Sequence, residues 1–381
     1  MDWRSYLRHV DYILLAATLA LIGYGATMVY FATRTDIAGQ PAYYLRQQLI
    51  FAGVGLIVLV AISLIDYEQY RRWQWALYGF AVVSIAAVYL FGTVTRGSRR
   101  WIPTPFVNFQ PSQLAIWILI VALSAFLVDR VELLGSRRIT AYALVYVFVP
   151  WALVFFQPDF GTSMVVLAGA LGVLFFFGTP WTHYATLLGA AIAGFVVVLK
   201  VLPLAGVRLI QDYQMERLLV FLDPGRDPAG TGYNVTQSMI AVGSGALRGR
   251  GDMATQTTLD FLPEHHTDFI FAVISERSGF MGAFILIALY VVFVWRALRI
   301  ATLSRDLYGS IMAGAIATTF LFQIFVNIGM TIGIMPVAGI PLPFVSYGGA
   351  AMITFLMLVG LLEAIHVRAT MVPELGGRLG Q

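Results

Sequence analysis

Cysteine is absent from all 381 residues. That excludes a disulfide framework, a thiolate nucleophile and a Cys-ligated metal. Charge is scarce as well: Asp, Glu, Lys and Arg make up 12% of the chain, where a soluble domain carries roughly 25%. The formal net charge is only +4. No basic stripe with interleaved aromatics occurs, so nucleic acid is not an expected partner. Histidine is limited to five residues. They show no HExxH or comparable spacing, and the adjacent pair His265 and His266 should point in different directions, so no metal site is expected there. P-loop spacing is missing. A cleavable signal peptide is not expected either, because 1–9 is short and charged and the apolar run after it is too long for an h-region.

What is abundant is apolar surface. Hydrophobic residues make up 59% of the chain, and the mean hydropathy is +0.80. Such a chain has no good solvent except lipid, which points to an all-α polytopic membrane protein. Ten apolar runs approach the length needed to span roughly 30 Å of hydrocarbon: Val10–Phe31, Leu49–Ile65, Trp75–Phe91, Leu114–Val128, Ala141–Phe156, Ser163–Phe177, Tyr184–Val201, Phe269–Val294, Ile311–Met330 and Val345–Ile365. They are continuous runs without barrel-like alternation, so they read as helices. Ten spans place both termini on one side. The inner segments then hold twelve arginines, from Arg4 to Arg378, against five in the short outer loops (Arg34, Arg46, Arg96, Arg99 and Arg100). This bias favours N-in, C-in. A long loop, about 202–268, falls outside between the seventh and eighth spans. Loops of that length between membrane helices usually carry function. No inverted repeat is visible, and 1–381 reads as one membrane domain.

Four stretches concentrate the chemistry. In "FLPEHHTDFIFAVISERSGF" (Phe261–Phe280), Asp268 should occupy the first turn of the eighth helix, at the outer surface. The helix N-terminus favours its charged form and burial disfavours it. It is a candidate general base; the alternative is an ordinary N-cap. Glu276 lies about two turns deeper, inside the hydrocarbon if the span is right. Intramembrane acids are functional suspects, and the alternative is a buried pair with Arg277 or another arginine. In "RGSRRWIPTPFVNFQPSQLAIW", three arginines and Trp101 sit where orientation would prefer neutral residues. Guanidinium forks match phosphate oxygens, so a lipid phosphate or diphosphate headgroup is the functional reading and interfacial anchoring the alternative. "QPDFGTS" (157–163) and "MPVAGIPLPFVSYGG" (335–349) put Pro and Gly between apolar spans, as re-entrant backbone lining a cavity would. Asp159 is expected to hold a loop or cap the sixth helix, with contact to substrate as the alternative, and Gln323 and Asn327 to hydrogen-bond across helices. "GYNVTQSMIAVGSGALRGRG" (232–251) is either a flexible turn or a backbone cradle with Arg248 and Arg250 for an anion.

With those stretches in hand, the chain resembles the SEDS family (shape, elongation, division and sporulation). The carriers are "GSRRWI" with "FQPSQ", "QPDFGTS", "YNVTQSMIAVGSGALRGRG", "TTLDFLPEHHTDFIFAVISE" and "GIPLPFVSYGG", in family order across nearly the whole chain. "TQTTLDFLPE" resembles the elongation branch more than the division branch. The resemblance implies ten transmembrane helices and peptidoglycan glycosyltransferase activity on lipid II at the outer face of the bacterial cytoplasmic membrane. It also implies a class B penicillin-binding protein as transpeptidase partner, besides lipid II, the polyprenyl-diphosphate glycan and membrane lipids. By motif position it implies Asp268 as the essential carboxylate, Glu276 as the second acid, Trp101 beside Arg100, and Arg46 with Gln47 at the second helix. Three positions depart from the family: Gln113 and Ile116 stand where Glu and Lys are usual, and Arg277 where a second Glu is common. If the lysine meets the diphosphate, another cation must serve here, with Arg46, Arg96 or Arg100 as candidates. Arg217, Arg248 and Arg250 are further substrate-binding candidates, and Mg²⁺ or Mn²⁺ is a possible cofactor. The rival readings are a lipid-linked precursor flippase or transporter, favoured by the helix count and the Pro/Gly breaks, and a non-catalytic scaffold for the transpeptidase.

Overall fold

The computed structural model describes residues 3–95, 98–103, 109–204, 215, 219–223, 225, 227, 230–258 and 261–376. After a short α1 (Trp3–His9), α2 (Tyr12–Thr33) and α3 (Tyr43–Leu64) follow, then a one-turn α4 (Tyr67–Arg72) and α5 (Gln74–Phe91). Next come α6 (Pro111–Val128), α7 (Arg137–Phe156), α8 (Phe160–Phe177) and α9 (Trp181–Val196). The long loop contains α10 (Thr231–Ser244), and α11 (Ile270–Leu303), α12 (Leu307–Thr331) and α13 (Gly349–Gly376) complete the chain. Among the described residues nine helices are long and apolar enough to cross a membrane. The expected seventh span differs. Its α-helix stops at Val196, changes to π hydrogen bonding over Val197–Val201, and adds a last turn at Leu202–Leu204.

Helix α6 is the centre, with 89% of its span buried. It packs between α5, α7 and α8, while α12 lies on α8 and α11, and α3 lies along α13. A helix buried on all sides must be apolar on all sides, and α6 is. Ile116 at 2% exposure faces α8, beside Val165 and Gly169, so the departure from lysine leaves an apolar residue in an apolar core. The outer helices instead turn large side chains outward, such as Val83, Leu90, Val145, Phe148 and Leu188, as surfaces meeting lipid do.

Side-chain caps fix where the helices begin. Asp11 accepts from Ile13 N and Leu14 N, Ser136 from Ile139 N, and Asp306 from Gly309 N. Asp11 is also held by Arg296 of α11 through Nε at 2.9 Å, and its own N–H donates to Glu363 of α13 at 3.0 Å. That knot ties three helices at the end of the bundle where the chain begins.

Candidate functional site

The site lies at the opposite end and is built around the turn 262–269. Asp268 is in this turn, two residues before α11, and Phe269 is the residue that precedes the helix. The expected position in the first helical turn is therefore corrected, and Asp268 is not the N-cap. The cause is local. Glu264 takes a positive φ of 55°, and its carbonyl accepts from both Thr267 N and Phe269 N, so the chain closes a turn before the helix starts. Three consecutive carbonyls of this turn are each captured from elsewhere. His266 O accepts from Tyr347 N at 2.9 Å, Thr267 O from Ser346 Oγ at 2.6 Å, and Asp268 O from Asn327 Nδ2 at 2.9 Å. Ser346 is placed in turn by Leu342 N and by Gln48 Nε2, which donates to its carbonyl.

The "MPVAGIPLPFVSYGG" stretch is, as expected, non-helical backbone running through the interior. Val337, Ile340, Leu342, Phe344 and Val345 are buried along it. Asn327 Nδ2 also donates to Ile340 O at 2.7 Å, so one fully buried amide staples this stretch to the Asp268 turn. Asn327→Leu, of similar volume, should cost about 1–3 kcal/mol for each carbonyl left unsatisfied. It should also slow the glycosyl transfer that the resemblance implies by shifting the turn, which thermal unfolding in detergent and initial rates would register. Tyr44, His266 and Tyr347 form an aromatic cluster beside the turn, with Tyr44–His266 centroids 4.9 Å apart. Burial, with Tyr43 and Tyr44 nearby, pushes the Tyr347 phenol up to about 12, so it stays a neutral hydroxyl at ordinary pH.

Beyond the turn, α11 is kinked at Gly279, which takes φ 64° and ψ −162°. A kink frees backbone groups that need other partners. The segment after α10 provides them: Phe280 N donates to Ala246 O, Met281 N to Leu247 O, and Arg250 N to Glu276 O. "GSGALRG" is thus neither a loose turn nor an open cradle but a strap docked on the kink. Glu276 lies fully buried beneath it, with Oε1 accepting from Gln256 N at 2.9 Å. Arg277 does not make the alternative pair with Glu276. It turns to Asp252 at 2.9 Å, sits over the Phe31 ring at 3.6 Å, and shares Asp252 with Arg34. Arg277, with Arg34 behind it, holds the Asp252 carboxyl below its usual range.

Arg100 and Trp101 lie on a two-stranded antiparallel ribbon, β1 (Thr93–Thr95) and β2 (Ser98–Trp101), which the all-α expectation lacked. The Arg100 guanidinium donates to Pro158 O and lies 3.5 Å from Asp159. Asp159 caps α8 as expected, accepting from Thr162 N, and it also accepts from Gln110 Nε2 and Ser112 Oγ. Arg46, Arg248 and Arg250 are exposed, Arg46 on the first turn of α3 and the other two on the strap. Arg217 and Arg96 lie outside the described residues. His265 and His266, expected to diverge, both come within reach of Asp36. The backbone turn at 264–269 brings them together, a fold-back that adjacency in sequence cannot show.

The family model of the FtsW, RodA and SpoVE cell cycle proteins matches residues 12–371. The chain belongs to that family. Among its FtsW/RodA/SpoVE relatives, peptidoglycan glycosyltransferase MrdB of Escherichia coli (strain K12) is 39% identical over 96% of each chain. Stage V sporulation protein E of Bacillus subtilis (strain 168) is 36% identical over 92% of this chain and 95% of its own. Among solved structures, a chain from a peptidoglycan synthase complex that coordinates polymerization and crosslinking matches with a TM-score of 0.78 at 28% identity, covering 95% of this chain and 99% of that one. RodA of Thermus thermophilus matches at 0.69 and 25% identity, covering 95% and 98%.

Proposed function

We propose that this chain is a peptidoglycan glycosyltransferase that polymerises lipid II during cell-wall elongation, with Asp268 as general base. The single observation that carries the residue assignment is the Asp268 turn, held at three carbonyls by α12 and the interior loop at the mouth of α11. The reading places it in the bacterial cytoplasmic membrane with ten spans and both termini inside. The loop at about 202–268 and the reaction centre then face outward. The helical path from Trp181 to Leu204 supports the tenth span, since 24 residues rise about 36 Å. A class B penicillin-binding protein is the partner.

The acceptor is a lipid-linked sugar with a free 4-hydroxyl, and the donor is a glycan α-linked through diphosphate to a polyprenyl chain. The hydroxyl oxygen attacks C1, the C1–O bond to diphosphate breaks, and Asp268 takes the hydroxyl proton. One displacement inverts the anomeric carbon, so no covalent enzyme intermediate is required. The leaving diphosphate needs positive charge. Arg46, Arg248 and Arg250 are exposed and would supply it by binding substrate phosphates. Arg100, engaged by Asp159 and Pro158, is better suited to holding its ribbon and Trp101 against the α8 cap, so that the two border the substrate. Glu276 acts from below, its backbone carbonyl accepting from Arg250 N of the strap and its carboxylate from Gln256 N beyond it. The hard oxygen donors that Mg²⁺ or Mn²⁺ takes are on the turn, in the part-exposed carboxylates of Glu264 and Asp268. Such an ion would neutralise diphosphate charge.

Purified protein in detergent, given labelled lipid II with and without its cognate transpeptidase, tests this. Glycan polymer should form although there is no membrane to cross. Absence of polymer under both conditions would favour a flippase or a scaffold.

A further inference from the structure

One group of side chains beside the catalytic turn has no part in the mechanism above. Asp36, just past α2, and His265 and His266 each offer a ligand atom, and all these atoms lie within 4.8 Å of one another. His265 is buried at 4% exposure. Its Nδ1 is 2.9 Å from Leu262 O, and its Nε2 is 3.1 Å from Ala32 O and 3.7 Å from Asp36 Oδ2. Both carbonyls can only accept, so a ring that keeps its Nδ1 proton on Leu262 O takes a cation by giving up the Nε2 contact with Ala32 O, and Nε2 then faces Asp36 and the end of α2. Metal-ligating histidines are oriented in this way, the far ring nitrogen donating to a backbone carbonyl that fixes the tautomer.

The His265 and His266 ring centroids are 5.3 Å apart. The Asp36 side chain is 24% exposed, which opens the group to solvent on one side. Bonds of about 2.0–2.2 Å to a tetrahedral ion separate its donor atoms by roughly 3–4 Å. His265 Nε2 and Asp36 Oδ2, 3.7 Å apart, already meet that, and all the ligand atoms lie within 4.8 Å of one another; Ala32 O adds an oxygen at the same place. Two imidazoles and a carboxylate suit Zn²⁺ and its borderline neighbours. Mg²⁺ prefers an all-oxygen octahedron and is a poor match.

We propose that Asp36, His265 and His266 bind a divalent transition-metal cation, Zn²⁺ fitting best, that pins the Asp268 turn to the end of α2. Binding of the ion does not depend on the polymerase reading. Only its consequence for Asp268 does.

The test uses full-length protein carrying no polyhistidine tag, stripped with a chelator in detergent and titrated with Zn²⁺. One Zn²⁺ per chain is expected by calorimetry and elemental analysis, together with a raised thermal midpoint. Millimolar Mg²⁺ should not displace it. Loss of a ligand should weaken binding by more than the roughly 10–100-fold typical when a ligand's hydrogen-bond partner is lost. Asp36→Asn and His265→Gln should therefore both abolish stoichiometric uptake. Asp36→Asn lies in an exposed loop, so it reports even if the buried His265 variant fails to fold. Substoichiometric Zn²⁺, or undiminished uptake by Asp36→Asn, would overturn the site. That result would instead fit a doubly protonated His265 donating to both carbonyls. Lipid II polymerisation measured separately keeps a failure of the metal site distinct from a failure of the polymerase assignment.

Discussion

Asp268→Asn should lower the rate of lipid II polymerisation by on the order of 10²–10⁴-fold and leave the thermal midpoint and transpeptidase binding where they were. The size is that of a positioned general base removed from a reaction that must deprotonate a sugar hydroxyl. The selectivity follows from how the turn is held. Tyr347 N, Ser346 Oγ and Asn327 Nδ2 hold the carbonyls of residues 266, 267 and 268, and an amide side chain at 268 leaves all of those bonds intact. The substitution therefore removes the carboxylate while the backbone bonds that hold the turn stay in place. Initial rates with purified lipid II, paired with thermal unfolding of the same preparations, check it. A variant polymerising at the native rate refutes the assignment, and a scaffold would show no effect.

The second large effect is expected at Gly249, in the strap that covers Glu276. Its φ is +79°, and a Cβ there would lie 2.1 Å from Arg277 O and 2.6 Å from Gly279 N. Both are backbone atoms of the kink, which cannot swing aside as a side chain could. Gly249→Ala thus combines about 1–2 kcal/mol for a left-handed L-residue with about 1–3 kcal/mol of overpacking. It should also break the Arg250 N to Glu276 O bond by lifting the strap. Gly251→Ala is the control, for φ there is also positive at +58° but nothing stands within 4 Å of the added carbon. Gly251→Ala should cost only the backbone part and keep most activity, whereas Gly249→Ala should lose several degrees of thermal midpoint and most of its rate. Equal effects at the two glycines would mean that contact with the kink is unimportant.

Local signals in the sequence proved readable. Continuous apolar runs located helices that the structure contains, and Asp159, between a Gln-Pro and a Gly-Thr, was legible as a cap because capping is decided within three residues. Asn327 stood out because a lone amide in an apolar span must find partners, although which partners could not be read. What the sequence withheld was set by contacts across the chain. The start of α11 slid past Asp268 because Glu264 closes a turn first. The strap could not be foreseen from "GSGALRG", since its shape is dictated by backbone groups released at Gly279. The approach of His265 to the end of α2 joins residues 233 positions apart, and no spacing rule reaches that far.

The break at Gly279 also sets a height. Thirty-four residues of helix would rise about 51 Å, well over the roughly 30 Å of hydrocarbon. The stretch from the break to Leu303 suffices to traverse the lipid. The nine residues before it then stand as a short pillar about 13 Å tall, which lifts the carboxylate to the level of polar headgroups. On the proposed function, a prenyl-tethered sugar would reach it there while its greasy tail stayed dissolved among acyl chains, so each addition would proceed without pulling the anchor out of the bilayer.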